Sequence, residues 1–251
     1  MMTRVKTTSE IADMRSSGRM LATVLNILRS KTIEGISTKE IADIAKKELI
    51  ALGGGPAFLG YRGFPDVLCT SVNDAVVHGI PTYEQILSEG DVVGLDFGVD
   101  FNGMITDAAI SVIVGSTTNK RLNLLVRITE QSLLQAVDVV RPGVHIGDIG
   151  HTIQQVLEKN NFGIVRELVG HGVGHQLHEE PDIPNYGQPG RGMCLDAGMT
   201  IAIEPMATIG DHNVYIDRDG WTIRTQDVSI AAHFEHTVLV TENGAEILTS
   251  L

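Results

Sequence analysis

Apolar residues recur at helical spacing near the start of the chain: Ile11, Met14, Leu21, Val24, Leu25 and Leu28 share one face. Just ahead of them, Thr7-Thr8-Ser9-Glu10 has the S/T-x-x-E form of a capping box, in which hydroxyl and carboxylate satisfy the free amides of a helix N-terminus. The pattern predicts a first helix running to about Arg29. Ser37-Thr38-Lys39-Glu40 repeats the box, Ile41, Ile44, Ala45, Leu49 and Leu52 supply an apolar face, and Gly53-Gly54-Gly55 supplies a stop, so a second helix is predicted there. From Pro56 to Gly115 the period changes: short β-branched runs broken by Gly, Pro and Asn-Gly read as an antiparallel sheet. Helical spacing returns over Leu122 to Val140, closed by Arg141-Pro142-Gly143, and over Ile146 to Glu158; strands and turns follow from Asn160.

The order helix, helix, sheet thus occurs twice, which predicts an α+β fold of two related halves, about 7–115 and 116–251. Gly35-Ile36-Ser37-Thr38-Lys39-Glu40-Ile41 resembles Gly143-Val144-His145-Ile146-Gly147-Asp148-Ile149, and 143 minus 35 gives an offset of 108. The same offset carries Asp96 onto Glu204. With 43% hydrophobic residues the chain can bury a large core. The expectation is a single domain over 1–251, its halves sharing a central sheet and lending carboxylates to one cleft.

Charge narrows the function. Acidic residues outnumber basic ones 31 to 19, for a net charge of -12, and no basic cluster interrupts the excess, which argues against direct nucleic-acid binding. Cys69 and Cys194 have no partner at metal-ligand spacing, a usage that fits a reducing compartment, so a cytoplasmic location is expected. The apolar stretch from Met20 to Leu28 is too short to span a bilayer and no cleavage site follows it, so neither export nor membrane anchoring is expected. A monomer is expected.

Five side chains stand far apart, each in a short apolar or glycine-rich frame: Asp96, Asp107, His171, Glu204 and Glu235. An isolated buried carboxylate is costly unless it is neutralised, paired or bound to a metal, and these frames hold no Lys or Arg. Asn102-Gly103 is a two-residue hairpin signal that would set Phe101 opposite Met104 and Asp96 opposite Ala109. Both aspartates would then face one way as diagonal neighbours, about 7 Å or less apart at Cβ; a three-residue loop would put them on opposite faces. The alternative, two aspartates salt-bridged on a solvated strand, lacks cationic partners. His171 lies among Gly170, Gly172 and Gly174, which disfavour a helix, so its spacing to His175 is not a zinc-helix motif. His233 and His236 form a similar trap, since three-residue spacing puts strand residues on opposite faces. Four carboxylates and one imidazole make an oxygen-rich set that suits Mn, Fe or Co and tolerates Zn. Bridging carboxylates imply two divalent ions and metal-assisted hydrolysis.

From Lys6 to Thr249 the chain resembles the type I methionine aminopeptidases, a family with the pita-bread fold, a pseudo-twofold repeat of helix pairs on a central antiparallel sheet. The resemblance rests on Cys69-Thr70-Ser71-Val72-Asn73-Asp74-Ala75-Val76-Val77-His78-Gly79-Ile80-Pro81, on Gly170-His171-Gly172-Val173-Gly174 followed by His178-Glu179-Glu180-Pro181, and on the order and spacing of the five ligand candidates. It implies removal of the initiator methionine from nascent proteins and peptides, with a small second residue favoured. It further implies Asp96 chelating one ion, His171 and Glu204 on the other, and Asp107 and Glu235 bridging. Glu204 would help move the proton of the attacking water, His178 would bond the scissile carbonyl, and His78 the amide nitrogen or the following residue. By the same match Phe58, Tyr61, Phe64, Cys69, Leu177 and Trp221 form the pocket for the Met side chain, where a flexible thioether packs well against aromatic edges. Family members with N-terminal extensions use them for ribosome or partner docking; with none evident here, a transient ribosome contact would use the folded surface.

Four positions depart from the family pattern. Gly98 and Ala108 stand where many relatives carry Thr, and lost hydroxyls around a metal site can cost about tenfold or more, so weakened metal binding is expected. Phe58 replaces a usually smaller residue and Leu177 a usually aromatic one, which alters pocket shape. Two rivals remain: a proline-specific aminopeptidase or dipeptidase of the same fold, and a non-catalytic binding protein on that fold.

Overall fold

The computed structural model of the protein describes residues 5–250; the ends of the unit expected over 1–251 lie outside the described residues. Two helices come first, α1 (Thr8–Lys31) and α2 (Thr38–Leu52). Both predicted capping boxes form: Thr7 with Glu10, and Ser37 with Glu40. Each N-cap hydroxyl accepts from the backbone of the Glu, and each Glu carboxylate accepts from the N-cap backbone. On α1, Met14, Leu21, Val24, Leu25 and Leu28 are buried, and on α2 Ile41, Ala45 and Leu49; Leu52, expected on the apolar face, is exposed in the last turn.

The strands that follow are β1 (Gly55–Pro56), β2 (Leu68–Val72), β3 (Ala75–Val77), β4 (Val92–Phe101) and β5 (Met104–Ile113), with a single 3-10 turn at Tyr61–Gly63. The second helix pair is α3 (Lys120–Val139) and α4 (Ile146–Lys159). The third helix starts two residues before the predicted Leu122 because Asn119 caps it, its side-chain oxygen accepting from the Arg121 and Leu122 amides. The chain ends in β6 (Gly163–Ile164), β7 (Val169–Gly172), β8 (Glu179–Pro184), β9 (Thr200–Ile203), β10 (Met206–Thr208), β11 (Val214–Ile216), β12 (Ile223–Thr225), β13 (Ala231–His233), β14 (Glu235–Thr241) and β15 (Gly244–Ile247).

A nine-stranded antiparallel sheet is ordered β1-β4-β5-β14-β9-β7-β8, with β2 beside β4 and β15 beside β14. The first half supplies one side, the second half the other, and they meet at the β5·β14 pairing. Contrary to the single sheet expected from Pro56 to Gly115, β3 leaves it and pairs with β12 of the second half. The repeat is visible in the bonding. Isolated bridges join Ser37 to Ile86 and His145 to Cys194, and 145 minus 37 and 194 minus 86 both give 108. His145 also heads α4, where Asp148 plays the part of Glu40.

Alternation along the central strands decides which side chains meet the helices. On β4, Val93, Leu95, Phe97 and Val99 join the main hydrophobic core with Ile110, Ile201, Ile203, Val238 and Val240. The even-numbered positions of β4 therefore face the other side, where Asp96 lies. Among the described residues no helix is long and apolar enough to cross a membrane.

Candidate metal centre

The β4-β5 hairpin has the predicted register: Phe101 pairs with Met104, Asp96 with Ala109, and Gly98 with Asp107. Its two-residue loop is built from Asn102 (φ 55) and Gly103 (φ 78), the positive pair of a turn whose twist matches the strands. Asp96 and Asp107 consequently share the cleft face, both buried. Opposite them stand His171 on β7, Glu204 just after β9, and Glu235 at the start of β14, where Glu235 pairs with Ala109. Thr237 is two residues further along β14; its hydroxyl accepts from the Asp107 amide at 2.9 Å and donates to the Asp107 carbonyl at 2.8 Å, which ties the two halves together behind the site.

The site is chemically unfinished as a protein interior. Asp96 Oδ1, Asp107 Oδ1 and Glu235 Oε1 are buried without a hydrogen-bond partner. Burial acts on all four carboxylates, and repulsion adds to it at three of them. Desolvation pushes Asp96 up to about 7, and desolvation followed by repulsion from the neighbouring carboxylates holds Asp107, Glu204 and Glu235 well above the usual range. His171 Nδ1 lies 2.9 Å from the Gly172 carbonyl and so carries the hydrogen, leaving Nε2 as a lone pair aimed at Glu204 Oε1, 3.6 Å away. Burial lowers His171 to about 4, so the imidazole is neutral, as a metal ligand must be. One atom each from Asp107, His171 and Glu235 lie within 4.8 Å of one another, all buried. Unpartnered oxygens, a neutral imidazole and crowded carboxylates fit divalent cations.

One cavity of about 280 Å³ is lined by every residue expected at the site: the five ligand candidates, His78, His178, Phe58, Tyr61, Phe64, Cys69, Leu177 and Trp221. Its apolar end is a cluster of its own, separate from the main core. Trp221 meets Phe64 edge-on at 5.2 Å, a favoured aromatic geometry. Burial and the carboxylates raise the Cys69 thiol well above its usual value, so it serves as wall rather than nucleophile. His78 sits at φ 59 just after β3, a strained conformation for a non-glycine residue; burial lowers its pKa. His178 is at the mouth, its ring 4.2 Å from that of His171 and its Nδ1 2.9 Å from the Tyr61 hydroxyl. Crowding by the cleft walls, then repulsion from His171, His78 and Arg62, lowers His178 to about 3.

Sequence reasoning missed two residues. Arg62 lines the cavity beside Tyr61, and the 3-10 turn that carries Tyr61 would have pointed to it. His233, set aside with His236, is buried with Nε2 3.7 Å from Glu204 Oε2 and 4.0 Å from Glu235 Oε2. The same period-two rule that separates it from His236 aligns it with Glu235, two residues on. His236 does point away, to Thr249. The zinc-helix motif is absent as expected: His171 is on a strand, and His175 bonds Glu10 at 2.7 Å.

The departures also have structural readings. A Cβ on Gly98 would fall 2.5 Å from the Phe58 ring, so Phe58 occupies the space a Thr would need. Ala108 lies in the main core, on the face opposite Asp107, while its backbone N–H supports the Asp107 carboxylate. A hydroxyl there would enter the core rather than the cleft.

Comparison with known proteins gives the same picture. The profile described as Metallopeptidase family M24 matches residues 12–242. A methionine aminopeptidase of Clostridium perfringens is 44% identical over 246 residues, covering 98% of each chain. A crystal structure of a methionine aminopeptidase from Thermotoga maritima superposes with a TM-score of 0.98 at 46% identity over 100% of both chains. A prolidase from Pyrococcus furiosus shares the fold at a TM-score of 0.79 and 25% identity, but the match spans 65% of that longer chain. The pita-bread architecture, the divalent-metal chemistry and the full-length similarity converge: the chain belongs to metallopeptidase family M24.

Proposed function

We propose that this protein is a two-metal hydrolase that removes N-terminal methionine from nascent proteins and peptides in the cytoplasm, favouring a small second residue. One observation carries the reading: a single cavity joins the carboxylate and imidazole cluster to an apolar end walled by Phe58, Phe64, Cys69, Leu177 and Trp221. A cavity of about 280 Å³ with reactive groups at one end and aromatic edges at the other suits one long apolar side chain beside the bond to be cut. Asp96, Asp107, His171, Glu204 and Glu235 would hold two divalent ions, drawn from Mn, Fe, Co or Zn. Bound there, the ions supply Lewis acidity and an activated water at neutral pH.

The side chains divide the remaining work. Glu204, buried among like charges, has the raised proton affinity of a group able to accept and return a proton. His178 Nδ1 lies 2.9 Å from the Tyr61 hydroxyl; with Tyr61 as the donor, the ring keeps its hydrogen on Nε2, the tautomer that donates to the scissile carbonyl. His78, held in one strained conformation, is placed to bond the peptide beyond that carbonyl. The walls exclude water from the apolar end. A monomer with transient contact to the ribosome fits a substrate presented at the exit of synthesis. Release of Met from Met-Ala-Ser but not Met-Trp-Ser, and no cleavage of an Ala-Pro peptide, is the expected result. Preference for the Ala-Pro peptide would assign the prolidase reading instead.

A further inference from the structure

We propose that His233 is a positioning residue for Glu204: its Nε2–H holds the outer carboxylate oxygen, so that the inner one faces the metal. The inference deepens the two-metal reading above and rests on it. Glu204 is bracketed by two imidazoles, with His171 Nε2 3.6 Å from Oε1 and His233 Nε2 3.7 Å from Oε2. His171 spends its hydrogen on the Gly172 carbonyl and offers a lone pair. His233 has no such competing bond at Nε2, which is buried and without any hydrogen-bond partner. A buried ring nitrogen left unpaired is unfavourable, and the carboxylates of Glu204 and Glu235 lie within 4.0 Å of it.

Its backbone is held from both halves of the molecule. The His233 backbone exchanges two hydrogen bonds with the Ser111 hydroxyl of β5, N–H to Oγ at 2.9 Å and Oγ–H to the carbonyl at 2.8 Å. On the other side β13 pairs with β10, with His233 opposite Met206, two residues past Glu204. These bonds hold the backbone from which the ring projects, and the ring itself is buried. A shift of about 0.8 Å closes the 3.7 Å gap to the length of a charge-assisted hydrogen bond. With Oε2 so engaged, Glu204 presents one oxygen to the ion and keeps the other in a defined place for proton transfer.

The test uses His233→Gln, which keeps an N–H donor of similar reach, and His233→Leu, which removes it, with His233→Met as a second apolar variant should the first fail to fold. Each metal-stripped protein is titrated with Co(II), and affinity and the visible absorption of the bound ion are recorded. The expected result is a wild-type spectrum and affinity within about threefold for His233→Gln, and affinity about 10- to 100-fold weaker for the apolar variants. Wild-type affinity in the apolar variants would make His233 a bystander. A changed spectrum with weakened binding in His233→Gln would make the imidazole a direct ligand; both overturn the proposal. Wild-type protein that takes up no Co(II) would sink the metal reading itself, and the inference with it.

Discussion

The two halves of the molecule reach the same cleft by different local means. In the first, Asp96 and Asp107 are 11 positions apart, placed by one tight hairpin whose register follows from Asn102-Gly103. In the second, Glu204 and Glu235 are 31 positions apart, and the intervening chain makes β10 to β13, Trp221 and His233. Both halves also build pocket wall, Phe58, Tyr61, Phe64 and Cys69 from the first and Leu177 and Trp221 from the second, and the longer span between Glu204 and Glu235 adds the imidazole beside Glu204. A duplicated frame can therefore lend ligands and pocket wall from both sides while the chain between the ligands differs in length from one half to the other.

That comparison can be broken most severely at the carboxylates. Asp107→Ala and Glu235→Ala, one from each half, should lower metal stoichiometry equally and bring Met release to background; retention of activity in either would show that the halves are not equivalent. Glu204→Gln should lower kcat by about 10²- to 10⁴-fold, the usual worth of a general base, with a smaller change in KM. Truncation in the second half, Trp221→Ala, should cost about 1.5–3 kcal/mol of apolar contact, read as roughly 10- to 100-fold in kcat/KM for Met peptides with metal affinity intact.

Metal removal should expose the repulsion that both halves share. Asp96 is raised to about 7, and the other three carboxylates are raised as well. The buried histidines, lowered to about 4 or 3, oppose this trend below about pH 7; above it they are neutral in both states, so the raised carboxylates leave the folded metal-free chain with more protons than the unfolded chain, and its stability falls as pH rises. For Asp96 the loss accumulates between the ordinary carboxylate value and about 7. The melting temperature of metal-free protein should climb by several degrees from pH 9 to pH 7, and saturating metal should flatten the slope; a metal-free slope of the opposite sign would contradict the burial described. The smallest effect is expected from Ala108→Thr. Its hydroxyl would enter the apolar core at a cost of about 1–3 kcal/mol, leaving metal affinity within about threefold. A tenfold gain in affinity would restore the view that a hydroxyl is missing from the site.

Much of this was legible because short-range rules govern it. The capping boxes, the Asn102-Gly103 turn and the apolar faces of four helices depend on neighbours in sequence, and they form as read. The ligands were legible because carboxylates in apolar frames have few other uses. What escaped depends on distant partners. Nothing near Ala75–Val77 signals pairing with β12, and Leu52, the last residue of α2, is exposed. The fit of Phe58 over Gly98 joins residues 40 positions apart. His233 was missed for a different reason: it was compared with His236 rather than with Glu235, its neighbour on the same face.

The central claim is that both halves complete one metal centre serving one methionine pocket. Metal-stripped protein titrated with Mn, Fe, Co and Zn should regain Met release from Met-Ala-Ser in step with metal bound, and Asp107→Ala should regain none at any metal level. Full activity in stripped protein, or in Asp107→Ala, would contradict the account.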